Sequence, residues 1–186
     1  MSRSLLLTVL LAGCAGTMFD VGKGYRLDTG SPKSVIYGKA RHQVPRGQAV
    51  NVYLKNLDSG ASYMLAVRSS ISDAPENDFA REIDPGRWVL DHAETSAATA
   101  PSMDFTGPVP QMAMEPSVDR SVDLQARPKR GPVFVVPPHA LVYVGTWDFA
   151  SPELRVLDEK PQQDAGLRHE HTALDPAQAV VALPAR

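Results

Sequence analysis

A mainly β fold is what this 186-residue chain predicts: an antiparallel β-sandwich carrying a long proline-rich insertion and a short C-terminal helix. Three observations carry that expectation. Over 50–55, Val50, Val52 and Leu54 alternate with Asn51, Tyr53 and Lys55, the period of two that sends one set inward and the other outward on a strand. β-Branched and aromatic residues crowd the late segment 141–149. Turn chemistry separates the apolar runs, in Leu57-Asp58-Ser59-Gly60-Ala61 and in Asp84-Pro85-Gly86-Arg87.

Taken along the chain, Val35-Ile36-Tyr37 is a short strand bounded by Ser34 and Gly38, and 50–67 reads as a β-hairpin closed by the Gly60 turn. In 79–90 the Pro85-Gly86 pair predicts a tight turn whose flanks pair, with Trp88 and Leu90 facing the core. Val133-Phe134-Val135-Val136 and 141–149 have the composition of central, buried strands, and Pro137-Pro138 between them interrupts any ladder. Within the latter, alternation puts Trp147 and Phe149 on one side and turns Asp148 to solvent. A further short strand covers 154–158. Only the tail, 175–183, has helix signals, with Asp175 as N-cap and Pro176 at the first helical position. A strand, a Pro-Gly turn and an aromatic strand resemble, in broad architecture, small sandwich domains of the transthyretin or immunoglobulin sort.

Between about 93 and 131 the material changes. Prolines are frequent, apolar residues do not alternate, and the composition predicts a flexible insertion ending in the basic run Arg127-Pro128-Lys129-Arg130. The expected organisation is therefore 1–13 as a signal peptide, 14–33 as a modified N-terminus and tether, 34–160 as the β domain with its insertion, and 161–186 as a tail with a short helix.

The N-terminus makes the sharpest functional statement. Arg3 precedes a run from Leu5 to Gly13 that is too short for the ~20 apolar residues of a membrane span and has the layout of a secretory signal peptide. The only cysteine closes that run. Leu11-Ala12-Gly13-Cys14 resembles the lipobox of bacterial lipoproteins, an aliphatic residue and two small ones before the cysteine to be modified. That resemblance implies cleavage between Gly13 and Cys14 by signal peptidase II, a diacylglycerol group on the Cys14 sulfur, and usually an acyl group on the new amine. Ala15, where a retained Gram-negative lipoprotein would carry Asp, implies transfer to the outer membrane, facing the periplasm. A lone cysteine excludes an intramolecular disulfide.

Chemistry elsewhere is sparse. His169-Glu170-His171 has metal-like composition, and on a strand its two imidazoles would share a face, yet two ligands make a weak site and a surface loop after Gly166 is the simpler reading. His42, His92 and His139 are isolated, and no nucleophile elbow or phosphate loop occurs. A net charge of -2 at pH 7 leaves no basic footprint for nucleic acid. The expectation is an envelope lipoprotein without cofactor, held to the membrane by its lipid and acting as a non-catalytic binding or assembly module for another envelope protein. The alternative is an envelope hydrolase or metal-binding protein.

Overall fold

The computed structural model describes residues 16–18, 20–28, 30–43, 48–68, 76–97, 131–150 and 154–184. The expected signal peptide, Gly13, Cys14, most of the expected insertion and its basic run lie outside them. Among the described residues the protein is mainly β, with ten strands, one α-helix and a short 3-10 turn.

Two five-stranded sheets are present. In the first, β1 (Gly16–Met18), β4 (Ser62–Arg68), β3 (Gln48–Asn56), β6 (Gly86–Ala97) and β7 (Val133–Val136) lie side by side in that order. In the second the order is β10 (Val180–Val181), β8 (Leu141–Asp148), β2 (Ser34–Arg41) and β5 (Glu76–Ile83), with β9 (Arg155–Leu157) also on β8. Most pairs are antiparallel, but β1 with β4, β2 with β8 and β10 with β8 run parallel. The larger buried cluster draws on both sheets, with Ile36, Phe79, Val142 and Trp147 from one and Val52, Leu65, Trp88 and Phe134 from the other. Phe79 and Trp147 meet with ring centroids 4.8 Å apart. Such tilted aromatic contacts add to the area term.

A second apolar cluster lies on the other face of the second sheet. Val35, Tyr37, Leu141 and Tyr143 are covered there by Val21, Leu167 and Leu174. Burial on both faces explains why β8 has no exposed side and reads as a continuous apolar run. Close approach is needed as well: a Cβ on Gly38 would stand 2.3 Å from the Gly145 carbonyl oxygen, at the point where the β2–β8 register shifts.

Several expectations are corrected. The 50–67 hairpin forms as β3 and β4, turning at Gly60 with φ 76°. The Pro85-Gly86 turn, however, joins no hairpin: β5 pairs with β2 and β6 with β3, so the turn is a corner between the two sheets, with Trp88 and Leu90 in the core as expected. Local turn chemistry specifies a reversal but not which sheet the chain enters next. β7 is not central. Only Phe134 and Val136 are buried, while Val133 and Val135 are 42% and 55% exposed. An unbroken apolar run does not reveal whether both its faces have partners.

The insertion begins later than expected, because β6 continues through Ala97 against Gln48. The described part of the expected tether is packed: β1 pairs with β4, Val21 is buried, and Tyr25 Oη donates to Glu82 at 2.7 Å. The expected tail belongs to the domain, and its helix is elsewhere. Helix α1 runs from Lys160 to Glu170, whereas Asp175 caps a 3-10 turn, Pro176–Gln178, before β10 pairs with β8. Among the described residues no helix is long and apolar enough to cross a membrane.

Candidate functional site

Helix α1 is fixed by the sheet beneath it, and this positions one of two clefts. Tyr37 and Tyr143 are paired across β2 and β8, their rings 5.4 Å apart, and both hydroxyls meet the start of the helix. Tyr37 Oη donates to Asp164 Oδ1 at 2.7 Å, and Tyr143 Oη accepts from the Glu159 amide at 2.7 Å. Burial, reinforced by Asp164, drives the Tyr37 hydroxyl far above its ordinary pKa; Tyr143 rises to about 12, chiefly through burial. Both therefore serve as neutral anchors. Lys160 Nζ reaches Asp164 at 2.7 Å and the Pro176 carbonyl at 3.1 Å, tying the helix to the 3-10 turn.

Glu159, the N-cap residue, joins an ionic group at the same end. Its carboxylate accepts from Arg41 Nη2 at 2.9 Å and from Thr146 Oγ1 at 2.8 Å, while Arg41 Nε donates to Glu76 at 2.7 Å. Hydrogen bonds from Lys39 and Arg41 hold the Glu76 carboxyl below its ordinary value.

Between the far half of α1, the segment 20–23 and β5 lies a cleft of about 490 Å³. Asp20, Lys23, Asp78, His169, Glu170 and His171 bring its polar groups. Burial raises the Asp78 carboxyl above its ordinary value; Lys39 Nζ at 3.6 Å opposes the rise and Glu170 adds to it. Arg81, next in the chain to the cleft residue Ala80, is buried. Its guanidinium pairs with Asp20 and donates to the Ala80 and Ala66 carbonyls, and burial lowers its pKa to about 10.

His169, Glu170 and His171 occupy neither a strand nor a surface loop. The first two end helix α1 and His171 is its C-cap, with its amide donating to the Leu167 carbonyl at 2.7 Å. Consecutive helical residues point about 100° apart, so the common face expected of a strand is lost. His169 is exposed; His171 is buried, its Nδ1 3.4 Å from the Gly22 carbonyl oxygen, where it fastens the N-terminal segment to the helix. Among the described residues no three His, Cys, Asp or Glu side chains are grouped to hold a metal ion.

The other singled-out residues are dispersed. His42 is buried beside Asn77 at 3.2 Å, His92 stacks on Tyr53 at 4.3 Å and faces Asp91 and Glu94, and His139 lines a second cleft of about 620 Å³. Asp148 is half-buried, and its carboxylate accepts from the Ala150 amide at 2.9 Å; Trp147 is buried and Phe149 packs on the same cluster, the shared side that the alternation predicts. Asp20, Lys23 and Asp78 carried no sequence signal, since they reach the cleft from segments far apart in the chain.

No family model and no curated protein matches this chain. A leucine-rich repeat protein from Bacteroides thetaiotaomicron VPI-5482 aligns over 74% of this chain at 14% identity and a TM-score of 0.34. The alignment spans 16% of that protein's length, and a likeness of this extent carries no argument about fold or role.

Proposed function

We propose that the chain is a lipid-anchored protein of the bacterial cell envelope, placed at the outer membrane facing the periplasm, whose domain is a β-sandwich acting as a non-catalytic binding or assembly module. The observation that carries this reading is the complete lipobox Leu11-Ala12-Gly13-Cys14 at the end of a short apolar leader. Attachment needs a thiol because the thiolate is the nucleophile. One acyl chain gives marginal membrane binding and a second makes it stable, so diacylglycerol at Cys14 supplies a lasting anchor. The two sheets sharing one buried cluster support the sandwich. The module role is supported by the employment of the chemistry-bearing groups: Glu159, Asp164, Tyr37, Tyr143, Arg81 and His171 each hold one segment to another. Held at a membrane, such a platform gains effective concentration for its partner without high intrinsic affinity.

Cys14→Ser should abolish incorporation of labelled fatty acid and move the protein out of the membrane fraction. Undiminished labelling of the variant would sink the reading. A hydrolase or metal-binding role is the second reading; Asp78, Glu170 and His169 line one cleft, although among the described residues no three such side chains are grouped to hold a metal ion. Stoichiometric zinc in the purified protein, lost together with cellular function in a His169→Ala, His171→Ala double variant, would support it.

A further inference from the structure

Where the chain enters the domain has a consequence for its orientation. Gly16 is the first residue of β1 and pairs in parallel with Tyr63, the second residue of β4. β4 leaves the 57–61 turn immediately before that point, so the chain enters at the end of the first sheet that carries this turn. The 84–86 corner lies at the same end, since Trp88 pairs with Asn56 and Gly86 with Val136. The starts of β2 and β8 complete it, Ser34 standing opposite Ile83 and Leu141 opposite Val35.

This end is rigid. Asp58 accepts from the Arg87 amide and from its Nε, both at 2.8 Å. The Leu57 amide donates to the Arg87 carbonyl at 2.7 Å, and Asn56 Nδ2 to the Pro85 carbonyl at 3.3 Å. Tyr63, beside Gly16 in the ladder, stacks on Trp88 at 5.3 Å and donates to Asp84. Turn, corner and entry strand thus form one braced plate, with Leu57 projecting from it at 44% exposure.

We propose that this plate rests on the lipid headgroups, so that the domain stands directly on the bilayer with Leu57 at the lipid surface. The inference rests on acylation at Cys14. Gly16 is two positions beyond Cys14, with Ala15 between them, a distance of at most about 7 Å. The headgroup layer of one leaflet is about 5–7 Å deep. A sulfur carrying diacylglycerol at the acyl boundary therefore keeps Gly16, and the plate beside it, within the headgroup zone. Charge is not the holding force: Arg87 is paired with Asp58 at 2.7 Å and Lys33 with Glu82 at 3.3 Å. The contact should consequently persist at high salt. It also leaves the opposite end, with Arg41, Glu76 and Glu159, turned to the aqueous side for a protein partner.

The test uses the full lipidated chain in phosphatidylethanolamine–phosphatidylglycerol vesicles. Single cysteines at Leu57→Cys, Ser59→Cys and Gln43→Cys are reacted with a membrane-impermeant maleimide. Gln43 is exposed beyond the far end of β2 and serves as the control. Labelling at 57 and 59 is expected to slow severalfold relative to the same variants made without the anchor, at low and high salt alike, while 43 is unchanged. Inserting about fifteen Gly and Ser residues between Ala15 and Gly16, a coil of about 20 Å, should retain acylation and abolish the protection. Equal labelling at 57, 59 and 43 in the acylated native-length protein overturns the orientation and leaves the anchor standing. Absence of acylation overturns both.

Discussion

At the residue scale, the buried Arg81 shows how a costly group is retained for position. Arg81 is 6% exposed and its guanidinium holds Asp20, so the segment 20–28 is pinned across β5. Arg81→Ala should cost about 2 kcal/mol, from the loss of packing and of hydrogen bonds to buried carbonyls. Arg81→Met should cost less than Arg81→Ala, because it loses the same hydrogen bonds but fills the space and removes the desolvation penalty. In both variants segment 20–28 should become a preferred site of limited proteolysis; a resistant segment in the methionine variant would show that Arg81 does not pin it. Glu76 offers a pH test. Its carboxyl sits below the ordinary 4.5 in the folded protein through Lys39 and Arg41, so its stabilisation is present above 4.5 and lost as pH falls through the folded value. Glu76→Gln should therefore lower Tm at pH 7, and melting curves should show the gap to the parent closing below pH 4.5. These roles were not legible beforehand. Arg81 sits in a charged-apolar stretch typical of a surface strand, and its burial comes from a segment sixty positions away in the chain.

At the element scale, legibility tracked how local the cause was. The 57–61 turn was readable because Gly60 answers a backbone demand within five residues, φ 76° with open space around it. Gly86 is under a second, tertiary demand. Its φ is 134° and a Cβ there would stand 2.8 Å from Asn56 Nδ2. Gly86→Ala should cost about 1–3 kcal/mol, whereas Gly60→Asn should stay within about 0.5 kcal/mol; chemical denaturation of both variants measures the contrast, and equal costs would contradict it. Helix α1 was missed for the converse reason. Its sequence is polar, with Gln163 and Leu167 its buried residues, so no apolar stripe marks it. Tyr37, Tyr143 and Thr146 bond its start and its cap residue, and these anchors lie on other strands. The tail pattern at Asp175-Pro176 did cap a turn, as its chemistry dictates, but Val180 and Val181 found a free ladder on β8 before a helix could extend.

At the scale of the whole molecule, the described residues of 16–97 and 131–184 supply both buried clusters. Replacing 101–129 by a Gly-Ser linker should therefore preserve a cooperative unfolding transition, provided the linker reaches back along β6 from Ala97 to Gly131, which lies beside Leu90. That distance is about seven strand residues, or roughly 23 Å, so about ten linker residues suffice in an extended form. A variant that lost its cooperative melt would show that the removed segment contributes to the core.

What the sequence determined by itself was the class and its punctuation: strands wherever apolar residues alternate or cluster as β-branched and aromatic runs, and reversals wherever Gly and Pro set φ. Each is caused within a few positions of chain. The tertiary structure alone decided which strands are neighbours, that the Pro85-Gly86 turn changes sheets, that β7 is an edge and β8 is buried on both faces, and that a polar segment becomes a helix. It also decided the fate of the histidines, dividing His169 and His171 between solvent and a backbone clamp. Those outcomes depend on what covers each face, and covering is a property of residues distant in sequence, to which local period and propensity are blind.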